Sequence, residues 1–219
     1  MILDSRLKAV ADFVPINSRV ADIGTDHGYL AIELINRGIA SHVIASDKNS
    51  GPLEAAKNNI KAAELESKID IRLSDGLKEI NKDEVDVIVI AGMGGALICD
   101  ILNDSPEITE AVNKIILQPM NAVDKVREWA VANDWHIEDE DLAEVDDIIY
   151  EIFCLSRACS ASKTTKKMTS PLLPKFIQGK IDKLQRVVDA MSKSPRASSS
   201  EKYLDLQKQI AILESKLKG

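Results

Sequence analysis

The stretch from Val20 to Leu30, VADIGTDHGYL, decides the fold class of this 219-residue chain. Its first residues are apolar and typical of a buried strand, and Gly24 follows where that strand should end. Gly24 and Gly28 allow a sharp turn and a close approach of the backbone to a ligand. A strand, a glycine turn and a helix over 29–36 together predict the first unit of an open α/β sheet, in which ligands bind at the carboxyl ends of the strands.

Short apolar runs and helical patterns continue to alternate after this unit. We expect five strands in the same sheet and four helices, with the strands over 19–24, 42–47, 69–75, 85–91 and 114–119 and the helices over 29–36, 52–63, 95–102 and 122–133. Continuous apolar strands separated by helices predict a parallel sheet covered on both faces, of the Rossmann-like kind. Two further strands, over 136–142 and 148–157, are joined too briefly for a parallel crossover and should form a terminal antiparallel hairpin.

The pattern changes after Pro171, where apolar residues recur at spacings of three and four. This spacing predicts two helices in an antiparallel coiled hairpin, joined by a loop with the sequence SKSPRASSS. The predicted seam consists of Ile177, Ile181, Leu184, Val188 and Met191 on the first helix and Tyr203, Leu206, Ile210, Leu213 and Leu217 on the second. The predicted organisation is therefore a catalytic or binding domain over 1–158, a linker over 159–170 and a helical hairpin over 171–219.

The charge is distributed unevenly along the chain. The whole chain has a net charge of −7, but residues 160–219 contain 13 Lys and Arg against 5 Asp and Glu. A basic segment attached to an acidic domain suggests a polyanionic partner for the basic end. The same charge pattern is also compatible with a solvated helical tail, or with a helical element that docks a protein or forms a dimer.

The composition also argues against several classes of protein. Aromatic residues make up only 4% of the chain, which disfavours a surface of stacking rings. The three histidines are scattered, and the three cysteines have no C-x-x-C spacing, so we expect no metal site and a reducing compartment. No apolar stretch has the length of a signal peptide core or a membrane span. We expect a soluble cytoplasmic protein.

The glycine turn differs from a dinucleotide-binding loop at one position. The G-x-G-x-x-G fingerprint needs a second glycine where this chain has Asp26, and a carboxylate there would crowd and repel a phosphate. NAD, FAD and ATP are therefore disfavoured. The spacing Asp22-x-Gly24-x-x-x-Gly28 suits a cofactor with a positive centre and no phosphate, and S-adenosylmethionine has both properties.

Acidic residues follow the next two predicted strands. Asp47 ends the second strand, where a carboxylate accepts hydrogen bonds from ribose hydroxyls. Asp75 ends the third and is placed to receive an adenine amino group. The alternative is that Asp47 and Asp75 cap the following helices. The predicted cofactor site comprises Asp22, Gly24, Thr25, His27, Gly28, Asp47, Lys48, Asp75, Gly76, Ala91, Gly92 and Met93.

The fourth strand leads into a glycine-rich turn, Ala91-Gly-Met-Gly-Gly95. The glycines leave room for the methionine arm of the cofactor, or for a flat base beside Gly94, or for a helix that begins tight against the sheet. The Asn/Asp-Pro-Pro-Tyr tetrad of many nucleic-acid amino-methylases is not found here. An exocyclic amine is therefore a less favoured target.

These motifs together resemble those of the bacterial tRNA adenine-22 N1-methyltransferase family, a group of class I methyltransferases. The matching segments are Asp4-Ser-Arg-Leu7, VADIGTDHGYL over 20–30, IAGMGGAL over 90–97, Leu117-Gln-Pro119 and Arg127-Glu-Trp129, followed by the helical hairpin. Met120 is a departure, because members of the family often have Asn after Leu-Gln-Pro.

The resemblance implies methyl transfer from S-adenosylmethionine to N1 of an adenine in tRNA. It makes Asp26 the catalytic residue, since a carboxylate beside the adenine N6–H stabilises the growing positive charge or takes the proton. Tyr29 either stacks on the base or packs on its helix, and His27 either stabilises the loop or touches the substrate. The predicted substrate-binding residues are Arg6, Tyr29, Gly94, Lys180, Lys183 and Arg186. The alternatives are a methyltransferase for another RNA, a protein or a small molecule, and a non-catalytic RNA-binding scaffold.

Overall fold

The structure is a computed structural model that describes residues 3–157 and 168–218. The chain divides into two compact units, residues 1–168 and 169–219. Most of the predicted linker over 159–170 lies outside the described residues, so its limits stay a prediction.

The described part of the first unit contains a seven-stranded sheet with the order β3-β2-β1-β4-β5-β7-β6. The strands are β1 (Ser18–Ile23), β2 (Ala40–Asp47), β3 (Ile69–Leu73), β4 (Val87–Met93), β5 (Lys114–Pro119), β6 (His136–Val145) and β7 (Ile148–Ser156). The first five pair in parallel, whereas β7 runs antiparallel to both β5 and β6. The prediction of a mostly parallel Rossmann-like sheet with a terminal antiparallel hairpin is confirmed.

Helices cover both faces of this sheet, as its continuously apolar strands require. One buried core contains residues of α1 (Ser5–Asp12), α2 (Tyr29–Asn36) and α3 (Ser50–Ala62). The other core contains residues of α4 (Gly95–Asn103), α5 (Pro106–Thr109) and α6 (Val123–Ala132). The interior of β4, from Val87 to Ile90, is buried between them.

The strand order places a crevice at the carboxyl edge of the sheet. Strand β1 lies between β2 and β4, so the chain turns back across the sheet after β3 and leaves an opening at the ends of β1 and β4. Strand β3 ends earlier than predicted, at Leu73, because Ser74 Oγ donates a hydrogen bond to the carbonyl of Gly76 and the chain turns there. Asp75 therefore lies in the turn after β3 and not on the strand.

The second unit contains α7 (Leu173–Ser192), α8 (Pro195–Ser198) and α9 (Glu201–Lys218). A small core holds α7 and α9 together, and its buried members are Ile177, Ile181, Val188 and Ile210. The predicted loop SKSPRASSS contains the short helix α8, which begins at a proline, a residue suited to a first helical turn. Leu217, predicted for the seam, is 38% exposed because it lies near the end of α9.

Candidate functional site

The loop between β1 and α2 is attached to the end of β2. The backbone N–H groups of Gly24 and Thr25 both donate to the carbonyl of Ser46, over 2.8 and 2.9 Å. Gly24 has a φ of +76°, and a Cβ there would lie 2.1 Å from Met93 Cε. The glycine thus allows a left-handed backbone and lets the ends of β1 and β4 come close together.

Asp26 has a left-handed backbone conformation, with a φ of +53°. Only a small fraction of non-glycine residues adopt it, and Asp and Asn are the most tolerant of it. This conformation explains why Asp26 occupies a position where related loops carry glycine. Its side chain is 68% exposed and faces the cleft.

His27 and Tyr29 support each other beside this loop. Their rings stack with centroids 5.2 Å apart and an angle of 18° between the planes. The backbone carbonyl of His27 accepts a 2.9 Å hydrogen bond from Asn59 Nδ2. The Nε2 atom of the His27 ring lies 3.7 Å from Asp26 Oδ1. Tyr29 also packs against the core. These contacts favour a loop-stabilising role for His27 and a packing role for Tyr29. Both side chains also line the cleft.

Asp22 is a buried carboxylate at the end of β1, with only 3% of its surface exposed. Thr25 Oγ1 donates a 2.7 Å hydrogen bond to its Oδ2. Burial raises the pKa of Asp22 to about 6, the hydroxyl of Thr25 opposes this shift, and the nearby charge of Asp47 adds to it. A buried carboxylate whose charge is only partly compensated favours a cationic ligand.

Asp47 and Asp75 are each partly engaged by their own turn. Asp47 Oδ1 accepts hydrogen bonds from the backbone and side-chain nitrogens of Asn49, over 2.9 and 3.2 Å, just before α3 begins. Asp75 forms a 2.6 Å ion pair with Lys78, and this contact lowers the pKa of Asp75. Both residues still line the cleft, so local structural and ligand-binding roles are compatible.

The glycines after β4 have different surroundings. Gly92 lines the cleft, whereas Gly94 is the residue that caps α4 and does not line it. A Cβ at Gly95 would lie 2.5 Å from the carbonyl oxygen of Ala122, so α4 begins tight against the loop after β5. Gly28, predicted to bind cofactor, is likewise outside the cleft lining, and a Cβ there would lie 3.2 Å from Ala56 Cβ on α3.

A polar network beside the cleft was not assigned from the sequence. Gln118 is fully buried in β5, and its Oε1 accepts hydrogen bonds from Arg6 Nη1 at 2.6 Å and Gly92 N at 3.0 Å. The signal was present in the sequence as an amide side chain at the end of an apolar strand, KIILQP. Buried amides are almost always hydrogen-bonded, but the partner on α1 is remote in the chain.

The crevice forms a cleft of about 510 Å³, within the usual size of small-molecule sites. Most of the predicted site residues line it: Arg6, Asp22, Gly24, Thr25, Asp26, His27, Tyr29, Asp47, Lys48, Asp75, Gly76, Ala91, Gly92 and Met93. Ser74, Leu97 and Ile101 also line it and were not predicted.

The predicted RNA-binding residues Lys180, Lys183 and Arg186 belong to the second unit. All three are exposed on α7. Lys180 Nζ lies 4.2 Å from the ring centroid of Phe176, a cation–π contact.

Neither a metal centre nor a membrane span is found in the described residues. Over 3–157 and 168–218, no three His, Cys, Asp or Glu side chains are grouped so that they could hold a metal ion. No helix in those same ranges is long and apolar enough to cross a bilayer.

Comparisons with known proteins give a consistent result. The chain is 39% identical over 150 residues to the tRNA (adenine(22)-N(1))-methyltransferase of Bacillus subtilis strain 168, which aligns 68% of this chain with 63% of that protein. The crystal structure of the B. subtilis M1A22 tRNA methyltransferase TrmK has 29% identity and a TM-score of 0.81 over 99% of each chain. Streptococcus pneumoniae Sp1610, solved in complex with S-adenosyl-L-methionine, has 32% identity and a TM-score of 0.78, covering 99% of this chain and 100% of that one.

A family model described as a methyltransferase domain matches residues 3–153. This range includes the parallel sheet, the cleft at its carboxyl edge and most of the terminal strand pair. The chain belongs to the methyltransferase domain family.

Proposed function

We propose that this protein transfers a methyl group from S-adenosylmethionine to N1 of adenine 22 in tRNA. The observation that carries the proposal is the cleft, which is lined by carboxylates at the ends of β1 and β2 and in the turn after β3, without a phosphate-binding glycine loop. Similarity to the B. subtilis tRNA (adenine(22)-N(1))-methyltransferase supports the choice of substrate. A cytoplasmic location is part of the same proposal, since that is where bacterial tRNA is modified.

The residues present in the cleft fit S-adenosylmethionine. Its ammonium and sulfonium groups are cationic, which suits a site containing the buried carboxylate of Asp22. We assign Asp47 to the ribose hydroxyls, and Asp75 with Gly76 to the adenine ring. When bound, this cofactor supplies an electrophilic methyl group on a sulfonium centre.

Asp26 is the residue we assign to catalysis. Methylation at N1 places positive charge on the adenine ring, and the charge is shared with the N6 amino group. A carboxylate beside N6–H stabilises this charge as it develops, or accepts the proton. The left-handed backbone and the exposure of the side chain make Asp26 accessible to a base entering the cleft. Alignment of the base with the methyl group contributes a large further part of the rate.

The target base must leave its stack before it reacts, because N1 lies on its Watson–Crick edge. Extrusion requires a firm grip on the flanking backbone, which the acidic first unit supplies poorly. We assign this grip to the basic face of α7, including Lys180, Lys183 and Arg186. Contacts of this kind hold phosphates and do not read bases, so RNA shape provides much of the selectivity.

The test is incubation of the full chain with labelled S-adenosylmethionine and an unmodified tRNA transcript that contains adenine 22, followed by nucleoside analysis. The expected product is 1-methyladenosine at that position. A matched transcript with guanine at position 22 should remain unlabelled. The proposal would be contradicted if another nucleotide were labelled. Equal labelling of both transcripts, or no labelling of either, would contradict it as well.

A further inference from the structure

Strand β4 contains a bulge directly beside β5. Ala91 pairs with Gln118 and Met93 pairs with Pro119, so Gly92 is an extra residue between the two pairs. Its φ of +79° matches the left-handed geometry that glycine provides at such bulges. The bulge removes the Gly92 N–H from the regular ladder, and this N–H donates to Gln118 Oε1 over 3.0 Å.

The amide of Gln118 is held in one orientation by its partners. A backbone N–H is only a donor, so the atom facing Gly92 must be the amide oxygen. The Nε2 on the other side donates to the carbonyl of Pro119 over 3.0 Å and lies 3.7 Å from Met120 Sδ. The second lone pair of the oxygen is then available for a further donor. Arg6 Nη1 occupies it at 2.6 Å.

This contact fixes the guanidinium of Arg6 at the edge of the cleft. Arg6 Nη2 also lies 3.4 Å from Asp4 Oδ2, while Asp4 Oδ1 accepts the backbone N–H of Leu7 and caps α1. A guanidinium has five N–H donors, and these two contacts within the described residues leave donors for a ligand. Only 19% of the Arg6 side chain is exposed, so it is held in place by its surroundings.

Arg6 belongs to the part of the cleft beside β4 and β5, the β4–β5 half, because it lines the cleft and its partner Gln118 lies on β5. Asp22 and Asp47 lie near the ends of β1 and β2, and Asp75 follows β3, whereas Gln118 lies near the end of β5, beyond β4. Leu97, which lines the cleft, and Met120, whose Sδ lies 3.7 Å from Gln118 Nε2, are each 45% exposed. Exposed apolar side chains suit the face of a nucleotide, and a fixed cation suits its hydrogen-bond acceptors.

We propose that Gln118 is a positioning residue, which holds the Arg6 guanidinium in the β4–β5 half of the cleft to receive the acceptor nucleotide. This inference rests on the proposed function, because it assigns the β4–β5 half to the nucleotide that is methylated. Gln118 acts through Arg6 and does not itself contact the nucleotide.

The experiment is a double-mutant cycle in the full chain, with Arg6→Ala, Gln118→Met and the double variant. Methionine keeps the length of glutamine but lacks the acceptor, so Arg6 loses its anchor. We expect Gln118→Met to raise KM for tRNA by roughly tenfold, the effect of losing one hydrogen bond to a charged group. In the Arg6→Ala background the same substitution should change KM by less than about threefold. An equal effect in both backgrounds would overturn the inference.

Two further variants separate positioning from general loss of structure. Thr109→Val removes a buried 2.9 Å hydrogen bond to the carbonyl of Leu102, away from the cleft, and should leave KM for tRNA unchanged. Gln118→Glu keeps an acceptor for Arg6, so its KM for tRNA should lie closer to the wild-type value than that of Gln118→Met. This test remains available if the methionine variant folds poorly. A KM for the Glu variant no better than that of Arg6→Ala would contradict the inference.

Failure of this inference can be distinguished from failure of the proposed function. Nucleoside analysis of the wild-type reaction tests whether adenine 22 is methylated. If it is methylated and the cycle shows no coupling between Arg6 and Gln118, the inference alone is wrong. If the wild-type chain does not methylate adenine 22, the proposed function is wrong and the inference fails with it.

Discussion

Thr25 Oγ1 donates a 2.7 Å hydrogen bond to the buried carboxylate of Asp22. This contact joins the end of β1 to the glycine loop, so the acid and the loop are ordered together. The hydroxyl offsets only part of the cost of burying the charge, because the pKa of Asp22 is still raised to about 6. A cationic ligand beside Asp22 would offset the rest of the free-energy cost of burying this charge.

Asp22→Asn is expected to stabilise the protein without ligand. The folded chain binds a proton at Asp22 more tightly than the unfolded chain, so the contribution of Asp22 to stability is fully present below about pH 4 and is lost as the pH rises through about 6. The substitution should raise the unfolding free energy at pH 7.5 by roughly 1–3 kcal/mol, since one unit of pKa shift corresponds to about 1.4 kcal/mol. Denaturant titrations of both proteins at pH 4 and pH 7.5 provide the measurement. If the unfolding free energies of the two proteins differ by the same amount at both pH values, Asp22 does not have the raised pKa assigned to it.

The same residue should make cofactor affinity depend on pH. A cationic ligand binds the ionised form of Asp22, so the affinity of the wild-type chain for S-adenosylmethionine should fall as the pH drops below about 6. Asp22→Asn should bind more weakly at pH 7.5 and show little change over that range. Calorimetric titration at several pH values tests this. If both proteins show the same pH dependence, another group is responsible.

Asp26→Asn should slow methylation while preserving the loop. Asparagine tolerates the left-handed backbone of residue 26 and has nearly the same size, so only the charge is lost. We expect a roughly 100-fold decrease in kcat, at the lower end of general acid–base contributions, with the cofactor Kd changed by less than about threefold. Single-turnover assays and calorimetry give the two quantities. An unchanged rate would remove Asp26 from the chemistry.

Gly24→Ala and Gly38→Ala form a matched pair. Both glycines have positive φ values, +76° and +66°, so alanine at either position should cost about 1 kcal/mol of stability. A Cβ at Gly38 meets nothing within 4 Å, whereas one at Gly24 displaces the flexible end of Met93, which lines the cleft. Thermal unfolding should therefore be similar for the two variants, and only Gly24→Ala should weaken cofactor binding. Equal cofactor Kd values would show that Met93 does not shape the site.

Charge reversal on α7 tests the proposed RNA grip. Changing Lys180, Lys183 and Arg186 together to Glu should weaken tRNA binding by at least roughly tenfold at moderate salt and flatten its salt dependence, since phosphate contacts release counterions. The rate at saturating tRNA should change less. The control carries the same charge change on exposed positions of α9: Lys202, Lys208 and Lys216. Equal losses in both triple variants would indicate a net-charge effect and no specific role for α7.

Much of the site was predictable because parallel strands bring their carboxyl ends to one edge. Asp22 and Asp47 lie at the ends of adjacent strands, so their meeting in the cleft follows from strand order. Gly24 was recognisable from its spacing, whereas the role predicted for Asp26 came from the family resemblance. The approximate positions of the strands and helices followed from apolar periodicity, although β3 and β4 ended at different residues than predicted.

Other features required contacts between distant segments. Gly28 and Gly94 were assigned to ligand binding, but their surroundings are Ala56 on α3 and Asn121 after β5. Glycine patterns indicate close approach without identifying the approaching group. The short helix α8 within SKSPRASSS was also missed, because serine and proline favour both turns and helix starts.

The sequence by itself determined the open parallel sheet, the acids at its carboxyl edge and the two-helix unit, because these depend on local periodicity and on the order of strands. Only the tertiary structure decided that Gln118 binds Arg6, which is 112 residues away in the chain. It also decided that Gly92, at a bulge in β4, donates its N–H to the same amide oxygen and so fixes the orientation of the Gln118 side chain. The physical reason is that hydrogen bonds between remote side chains depend on the final packing of α1 against the sheet, which no local pattern specifies.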